Sequence, residues 1–167
     1  MGAKVPAYLS RTWDTRTDMA QLCRRQGLIE APIEALWELV GDPNRHPEWW
    51  PRMVDTDCAN LGVGCQYRGV VRGPLGRREE HNLVLERFEG CREIKIRCAE
   101  VGAWNRWVLT EARGGTFVEG EFGVEPQTVA SKAFGVFGGR LYLRRWLDAS
   151  FESLRATAER ETRGAPA

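Results

Sequence analysis

The chain has 167 residues, a length that suits one domain of ordinary size with a core of its own. Its 24 basic and 23 acidic residues leave a formal net charge of +1, so the strong positive charge of a typical nucleic-acid-binding protein is missing. We therefore expect neither a second full domain nor a nucleic-acid partner.

The five cysteines form an odd set without any C-x-x-C pair, and the chain has only two histidines. This pattern predicts free thiols in a reducing compartment, with no metal site and no cofactor. No stretch of about 18 apolar residues is present, so we expect no stable membrane insertion. The sequence predicts a cytoplasmic protein, either a monomer or a homodimer.

The N-terminal third of the chain changes character at about residue 20. Residues 1–19 show no clean period and are predicted to be an extension. The segment "MAQLCRRQGLIEAP" then reads as a strand, and "APIEALWELVGDP" places Ile33, Leu36, Trp37 and Val40 at helical spacing. The following "DPNRHPEWWPRM" has room for another turn or two of helix between its prolines.

From Val54 to Pro126 six strand-like runs alternate with turn signals. Leu83 with Leu85, and Ile94 with Ile96, fall on single faces, as an antiparallel sheet with one covered face requires. A long helix is predicted from about Thr128 to about Arg160, followed by a flexible tail at 163–167. Its predicted inner stripe consists of Val129, Ala133, Val136, Leu147, Phe151, Leu154 and Ala158. The order predicts an α+β domain over residues 20–162, in which the last helix packs on the sheet.

The sequence from residue 20 to 162 resembles the START-like helix-grip superfamily, and within it the polyketide cyclase/dehydrase and lipid-transport group. The similarity lies in "LIEAPIEALWELVGDPNRHPEWWPRM", "LGVGCQYRG", "GGTFVEGEF" and "FGVFGGRLYLRRWLDASFESLRATAER", in the right order over residues 20 to 162. The resemblance implies a curved antiparallel sheet of about six or seven strands wrapped around the C-terminal helix, with two short helices after strand 1. It also implies a cavity that holds an apolar ligand.

The stretch "DPNRHPEWWP" contains an H-x-E pair, His46 and Glu48, and two adjacent tryptophans. A zinc-deaminase signature would need a later P-C-x-x-C, which the sequence lacks. One interpretation has Trp49 or Trp50 capping the core while His46 and Glu48 point to water. In the other, compatible interpretation the same tryptophans line the cavity entrance.

Known catalytic motifs are missing elsewhere in the chain. "LGVGCQYRG" precedes a strand and lacks the third glycine of a dinucleotide fingerprint, and neither a P-loop nor a G-x-S-x-G elbow occurs. The sequence therefore offers nothing for a nucleophile-based hydrolase.

Polar and aromatic residues on the predicted covered face are the remaining candidates for a site. His81 shares the face of Leu83 and Leu85, so it is either a hydrogen-bonded core histidine or an acid–base group in the cavity. Tyr67 is placed inward by the same alternation and could offer its hydroxyl. Trp107, also inward, would provide a flat wall.

The predicted pocket also draws on both helices. Its ligand-binding residues are predicted to be Trp37, Trp49, Trp50, Tyr67, His81, Trp107, Phe134, Phe137 and Arg140. Arg140 falls on the buried stripe if the closing helix is continuous, where it would need a carboxylate partner. If Gly138-Gly139 breaks the helix, Arg140 lies in solvent.

Three functions remain open on the sequence alone. The first is a carrier that binds a hydrophobic, lipid-like or polyketide-like molecule in an internal cavity. The second is a polyketide aromatase/cyclase or dehydratase, in which His81 or Tyr67 transfers a proton to a substrate that the cavity folds. The third is a regulatory protein-interaction module with a filled cavity.

Overall fold

The computed structural model describes residues 21–73, 75–125 and 139–164. The strands are β1 (Gln21–Ile29), β2 (Met53–Asp57), β3 (Gln66–Arg72), β4 (Arg78–Glu89), β5 (Glu93–Cys98), β6 (Ala103–Ala112) and β7 (Gly115–Val124). The helices are α1 (Ile33–Val40), α2 (His46–Trp49) and α3 (Gly139–Gly164), with a 3-10 turn at Pro43–Arg45 before α2.

The strands of this part of the chain form one curved antiparallel sheet in the order β1-β7-β6-β5-β4-β3-β2. Strands β2 to β7 lie side by side in chain order and form a meander. Each is antiparallel to the next, so short connections can join them. Strand β1 forms the edge of the sheet beside β7, and its residues Gln21 to Ile29 pair with Val124 to Thr116. The predicted α+β helix-grip fold, with two short helices after β1, is confirmed.

One face of the sheet is covered, as the alternation predicted. Leu83, Leu85, Ile94 and Ile96 are all buried, with at most 6% of each residue exposed. Gly120 on β7 leaves room for the ring of Trp107, since a Cβ there would lie 2.6 Å from that ring. The sheet and the helices thus share one hydrophobic core.

Helix α3 packs against β1, β7, α1 and α2. Its buried stripe contains the predicted Leu147, Phe151, Leu154 and Ala158. The helix ends at Gly164, within four residues of the predicted end near Arg160. The predicted start near Thr128, and the stripe positions Val129, Ala133 and Val136, lie outside the described residues.

The His46-Trp50 segment is part of the core. His46 is 1% exposed, and its Nε2 lies 2.9 Å from the carbonyl oxygen of Val40. The interpretation in which His46 points to water is therefore wrong: the short helix α2 turns this side chain inward. Glu48 does stay at the surface, where Arg45 pairs with it at 2.6 Å.

No helix in the described ranges is both long enough and apolar enough to cross a membrane.

Candidate functional site

A cavity of about 390 Å³ lies between the sheet and the segment of α3 at residues 142–146. This volume falls within the range of about 300 to 1,000 Å³ that small-molecule sites occupy. Its wall is mostly apolar and is formed in large part by Trp50, Leu83, Ile96, Phe122, Leu143 and Trp146. The arrangement suits a largely apolar ligand.

Packed aromatic rings form one side of the cavity. Trp146 on α3 stacks on Trp50 at a centroid distance of 5.8 Å and meets Phe122 edge to face at 5.3 Å. The indole Nε1 of Trp146 donates to the carbonyl oxygen of Pro51 at 2.7 Å. Because this hydrogen bond fixes the ring, the aromatic side of the cavity is pre-organised.

Three buried polar atoms of cavity-wall residues have no hydrogen-bond partner among the described residues. Asn105 is 7% exposed; its Oδ1 has no partner, and its Nδ2 reaches the carbonyl oxygen of Ile96 only at 3.5 Å. The indole Nε1 atoms of Trp50 and Trp104 are likewise unpartnered. Buried polar groups of this kind normally make hydrogen bonds, so all three lack the partner that such a group usually has. Either orientation of the Asn105 amide leaves such a position open.

A polar cluster forms another part of the wall, from His81 on β4 and from Cys98 and Glu100 at the end of β5. The thiol of Cys98 donates to Glu100 Oε2 at 3.1 Å. The two ring nitrogens of His81 lie 3.9 Å from Glu100 Oε2 and 3.7 Å from Glu79 Oε2. His81 therefore sits between two carboxylates.

Two pKa values in the cluster are shifted. Burial raises the pKa of the Cys98 thiol, and its hydrogen bond to the Glu100 carboxylate acts in the same direction. For Glu100, burial works to raise the pKa, but the backbone N–H of Asn82 and the other donors outweigh it and hold this pKa below its usual value. At neutral pH the cluster holds a protonated thiol beside an ionised carboxylate.

Of the predicted ligand-binding residues, Trp50 and His81 line the cavity. Trp49, Tyr67 and Trp107 point inward, but the structure places them in the solid core rather than on the cavity wall. Trp37 is half-buried and packs against Phe88 with a centroid distance of 5.4 Å. Phe134 and Phe137 lie outside the described residues.

Tyr67, the second predicted acid–base residue, is 4% exposed, and its hydroxyl has no hydrogen-bond partner in the described part of the chain. Burial, the largest cause, raises the pKa of this hydroxyl well above its ordinary value. The group thus remains protonated, and it lies away from the cavity wall.

Arg140 is exposed, so of the two alternatives the position on the buried stripe is wrong and the position in solvent agrees with the structure. Around Arg140 in the described part of α3, Gly139 and Leu143 provide the buried positions. Its backbone carbonyl accepts from the thiol of Cys23 at 3.5 Å, while the side chain stays at the surface. An exposed guanidinium needs no buried carboxylate.

Sequence reasoning missed Asn105, Cys98, Glu100 and Trp146. A signal existed for Asn105, which precedes Trp107 by two residues and so shares its inward face. For Trp146 and Glu100 the sequence carried no comparable signal, because their positions depend on where α3 and the β5–β6 turn meet the sheet.

Comparisons with known proteins agree with this architecture. The family model described as "Polyketide cyclase / dehydrase and lipid transport" matches residues 24–159. No curated protein matches the chain.

Solved structures share the fold at low identity. The aromatase/cyclase Zhui from Streptomyces sp. R1128 is 15% identical with a TM-score of 0.73, over 87% of this chain and 98% of that one. The di-domain aromatase/cyclase BexL from the BE-7585A biosynthetic pathway is 19% identical with a TM-score of 0.66, over 88% of this chain and 51% of that one. A protein of unknown function from Staphylococcus aureus is 13% identical with a TM-score of 0.68, over 87% and 97% of the two chains.

Proposed function

The chain belongs to the polyketide cyclase/dehydrase and lipid transport family, and from this premise we propose that it binds one largely apolar, lipid-like or polyketide-like molecule in the cavity. The ligand carries at least one carbonyl or hydroxyl group. The unpartnered Asn105 amide and Trp50 indole on a mostly apolar wall are the observation that carries this proposal. Together they supply one acceptor and one donor for a polar group of the ligand.

The open volume favours ligand binding over a filled-cavity interaction module. A cavity of about 390 Å³ between well-packed aromatic rings is far larger than the gaps that close packing ordinarily leaves in a core. Its apolar wall provides the attraction and its few polar groups provide orientation, as small-molecule sites in general do.

Filling the cavity tests this proposal. Ala103 lines the cavity at the start of β6 and is half-buried, so Ala103→Phe places a ring inside the volume. We expect the affinity for 8-anilinonaphthalene-1-sulfonate to fall by about tenfold or more, a change of about 1.4 kcal/mol. Fluorescence titration of the dye, with the melting temperature recorded alongside, gives the result.

The matched control is Thr110→Phe, which adds the same ring to an exposed position of the same strand. This variant should bind the dye as the parent does. Equal dye affinity in a folded Ala103→Phe variant and in the parent would place dye binding elsewhere and count against the cavity.

A second candidate function is that of an aromatase/cyclase, the activity named for the structural neighbours Zhui and BexL. His81 on the cavity wall, between Glu79 and Glu100, favours it. The imidazole would accept a proton from the carbon between two carbonyl groups of a folded poly-β-ketone and return one to the departing oxygen. This role needs a free ring nitrogen on His81.

If the protein is a cyclase, His81→Gln should lower turnover of a linear poly-β-ketone thioester analogue by about 10² to 10⁴-fold. Dye affinity should stay near that of the parent, because glutamine keeps the polar character and approximate size of the side chain. Product formation by liquid chromatography with mass detection measures the effect. Parent-like turnover in this variant would remove His81 from the chemistry.

A further inference from the structure

We propose that His81, Cys98 and Glu100 form a three-ligand zinc site on the cavity wall. Each residue offers one ligand atom, and these atoms lie within 4.8 Å of one another. A zinc site goes beyond the proposed function, because zinc binding does not require the apolar ligand of the cavity.

The distances are close to those of a tetrahedral site. Zinc bonds of about 2.0 Å to oxygen and nitrogen and about 2.3 Å to sulfur put neighbouring ligand atoms about 3.3 to 3.5 Å apart. Cys98 Sγ lies 3.1 Å from Glu100 Oε2, and His81 Nδ1 lies 3.9 Å from the same oxygen. All pairs of ligand atoms lie within 4.8 Å, so side-chain rotation has to shorten the remaining His81–Cys98 separation by at most about 1.3 Å to reach zinc distance.

The donor set selects the metal. One thiol, one imidazole and one carboxylate are the three ligand types that zinc accepts, whereas calcium and magnesium take oxygen ligands alone. On binding, the Cys98 thiol releases its proton to solvent and the thiolate bonds to the metal. The carboxylate of Glu100, which now accepts from that thiol, would share the metal with it.

Neighbouring groups already hold the ligands in place. The backbone N–H of Asn82 donates to both carboxylate oxygens of Glu100, at 3.0 and 3.2 Å. With Nδ1 of His81 on the metal, Nε2 faces Glu79, whose Oε2 lies 3.7 Å away. A carboxylate beyond the second ring nitrogen is the usual support for a zinc-bound histidine, since it sets the tautomer and the ring orientation.

Three protein ligands leave a fourth position open, and all three line the cavity. An oxygen of a cavity ligand, or water, would take this position, as in zinc sites that act on substrates. With Nδ1 of His81 on zinc, only Nε2, which faces Glu79, remains for the acid–base role of the second candidate function.

The test uses the full chain, freed of metal with a chelator and confirmed as folded by circular dichroism. Zinc is titrated in competition with a chromophoric chelator, and Co²⁺ is added separately to record the near-ultraviolet thiolate-to-cobalt charge-transfer band. We expect one zinc per chain, and at least a tenfold loss of affinity in Cys98→Ser and in Glu100→Gln. Glu100 is exposed, so Glu100→Gln should fold even if Cys98→Ser does not.

The control variant is Cys91→Ser, which removes an exposed cysteine outside the cluster and should keep full zinc affinity and the cobalt band. The proposal is overturned if the parent binds no stoichiometric zinc. It is also overturned if the cobalt band persists in Cys98→Ser or disappears in Cys91→Ser, since another thiol would then hold the metal. Parent-like zinc affinity in Glu100→Gln has the same consequence.

Discussion

Replacing Trp49 with alanine is expected to lower the free energy of unfolding by about 3 to 5 kcal/mol, the range for removal of a large buried aromatic ring. Trp49 is 1% exposed, stacks on Trp50 at 5.8 Å and meets Trp107 edge to face at 5.4 Å. Its indole Nε1 also donates to the carbonyl oxygen of Leu39 at 2.9 Å. The substitution thus leaves both a cavity and an unpaired carbonyl where α1, α2 and the sheet meet.

Urea denaturation of the parent and three variants separates these two effects. Trp49→Phe keeps a ring but loses the hydrogen bond, so its loss should be intermediate. Trp37→Ala is the control, because Trp37 is half-buried on the same group of helices and should cost less than Trp49→Ala. If Trp49→Ala costs no more than Trp37→Ala, the stacked tryptophans do not hold α2 on the core.

The second large effect concerns acid. Burial, the dominant cause, lowers the pKa of His46 to about 4 from an ordinary value of 6.5. The folded protein therefore keeps this ring neutral, while the unfolded chain protonates it below pH 6.5. The contribution of the neutral His46 to the free energy of unfolding is fully present above pH 6.5 and declines as the pH falls. It is lost by about pH 4, a total loss of about 3 kcal/mol.

His46→Gln removes this titration and keeps a donor for the carbonyl oxygen of Val40. Denaturation midpoints measured from pH 7.5 to pH 4 should fall less steeply in His46→Gln than in the parent. Carboxylates titrate in both proteins, so the difference between the two curves isolates His46. His81→Gln, which alters the other histidine, should still show the loss due to His46. Parallel curves for parent and His46→Gln would contradict the assignment.

The sequence by itself determined the fold, because the relevant signals are local. Alternation along a strand and the 3.6-residue period along a helix follow from backbone geometry. The sequence therefore shows the alternation of Leu83 with Leu85 and the stripe from Leu147 to Ala158 without any knowledge of tertiary contacts. The order of these segments, together with the resemblance they carry, was enough for the helix-grip architecture.

The position of the candidate site was decided only by the tertiary structure. Alternation indicates which face a side chain takes but not whether that face meets solid packing or open volume, so it grouped Tyr67 and Trp107 with His81, although only His81 lines the cavity. Only the arrangement of helices on the sheet separated the wall of the cavity from the core. For the same reason the sequence did not predict the burial of His46, which depends on how α2 packs against the core.

The polar cluster shows the limit most directly. A search for zinc sites by spacing finds none, because Cys98 and Glu100 are distant from His81 along the chain. Antiparallel pairing sets Leu83 opposite Cys98, so His81, two residues before Leu83, comes beside the turn that holds Glu100. Strand register is a property of the paired sheet rather than of either segment, and it brings these three side chains together.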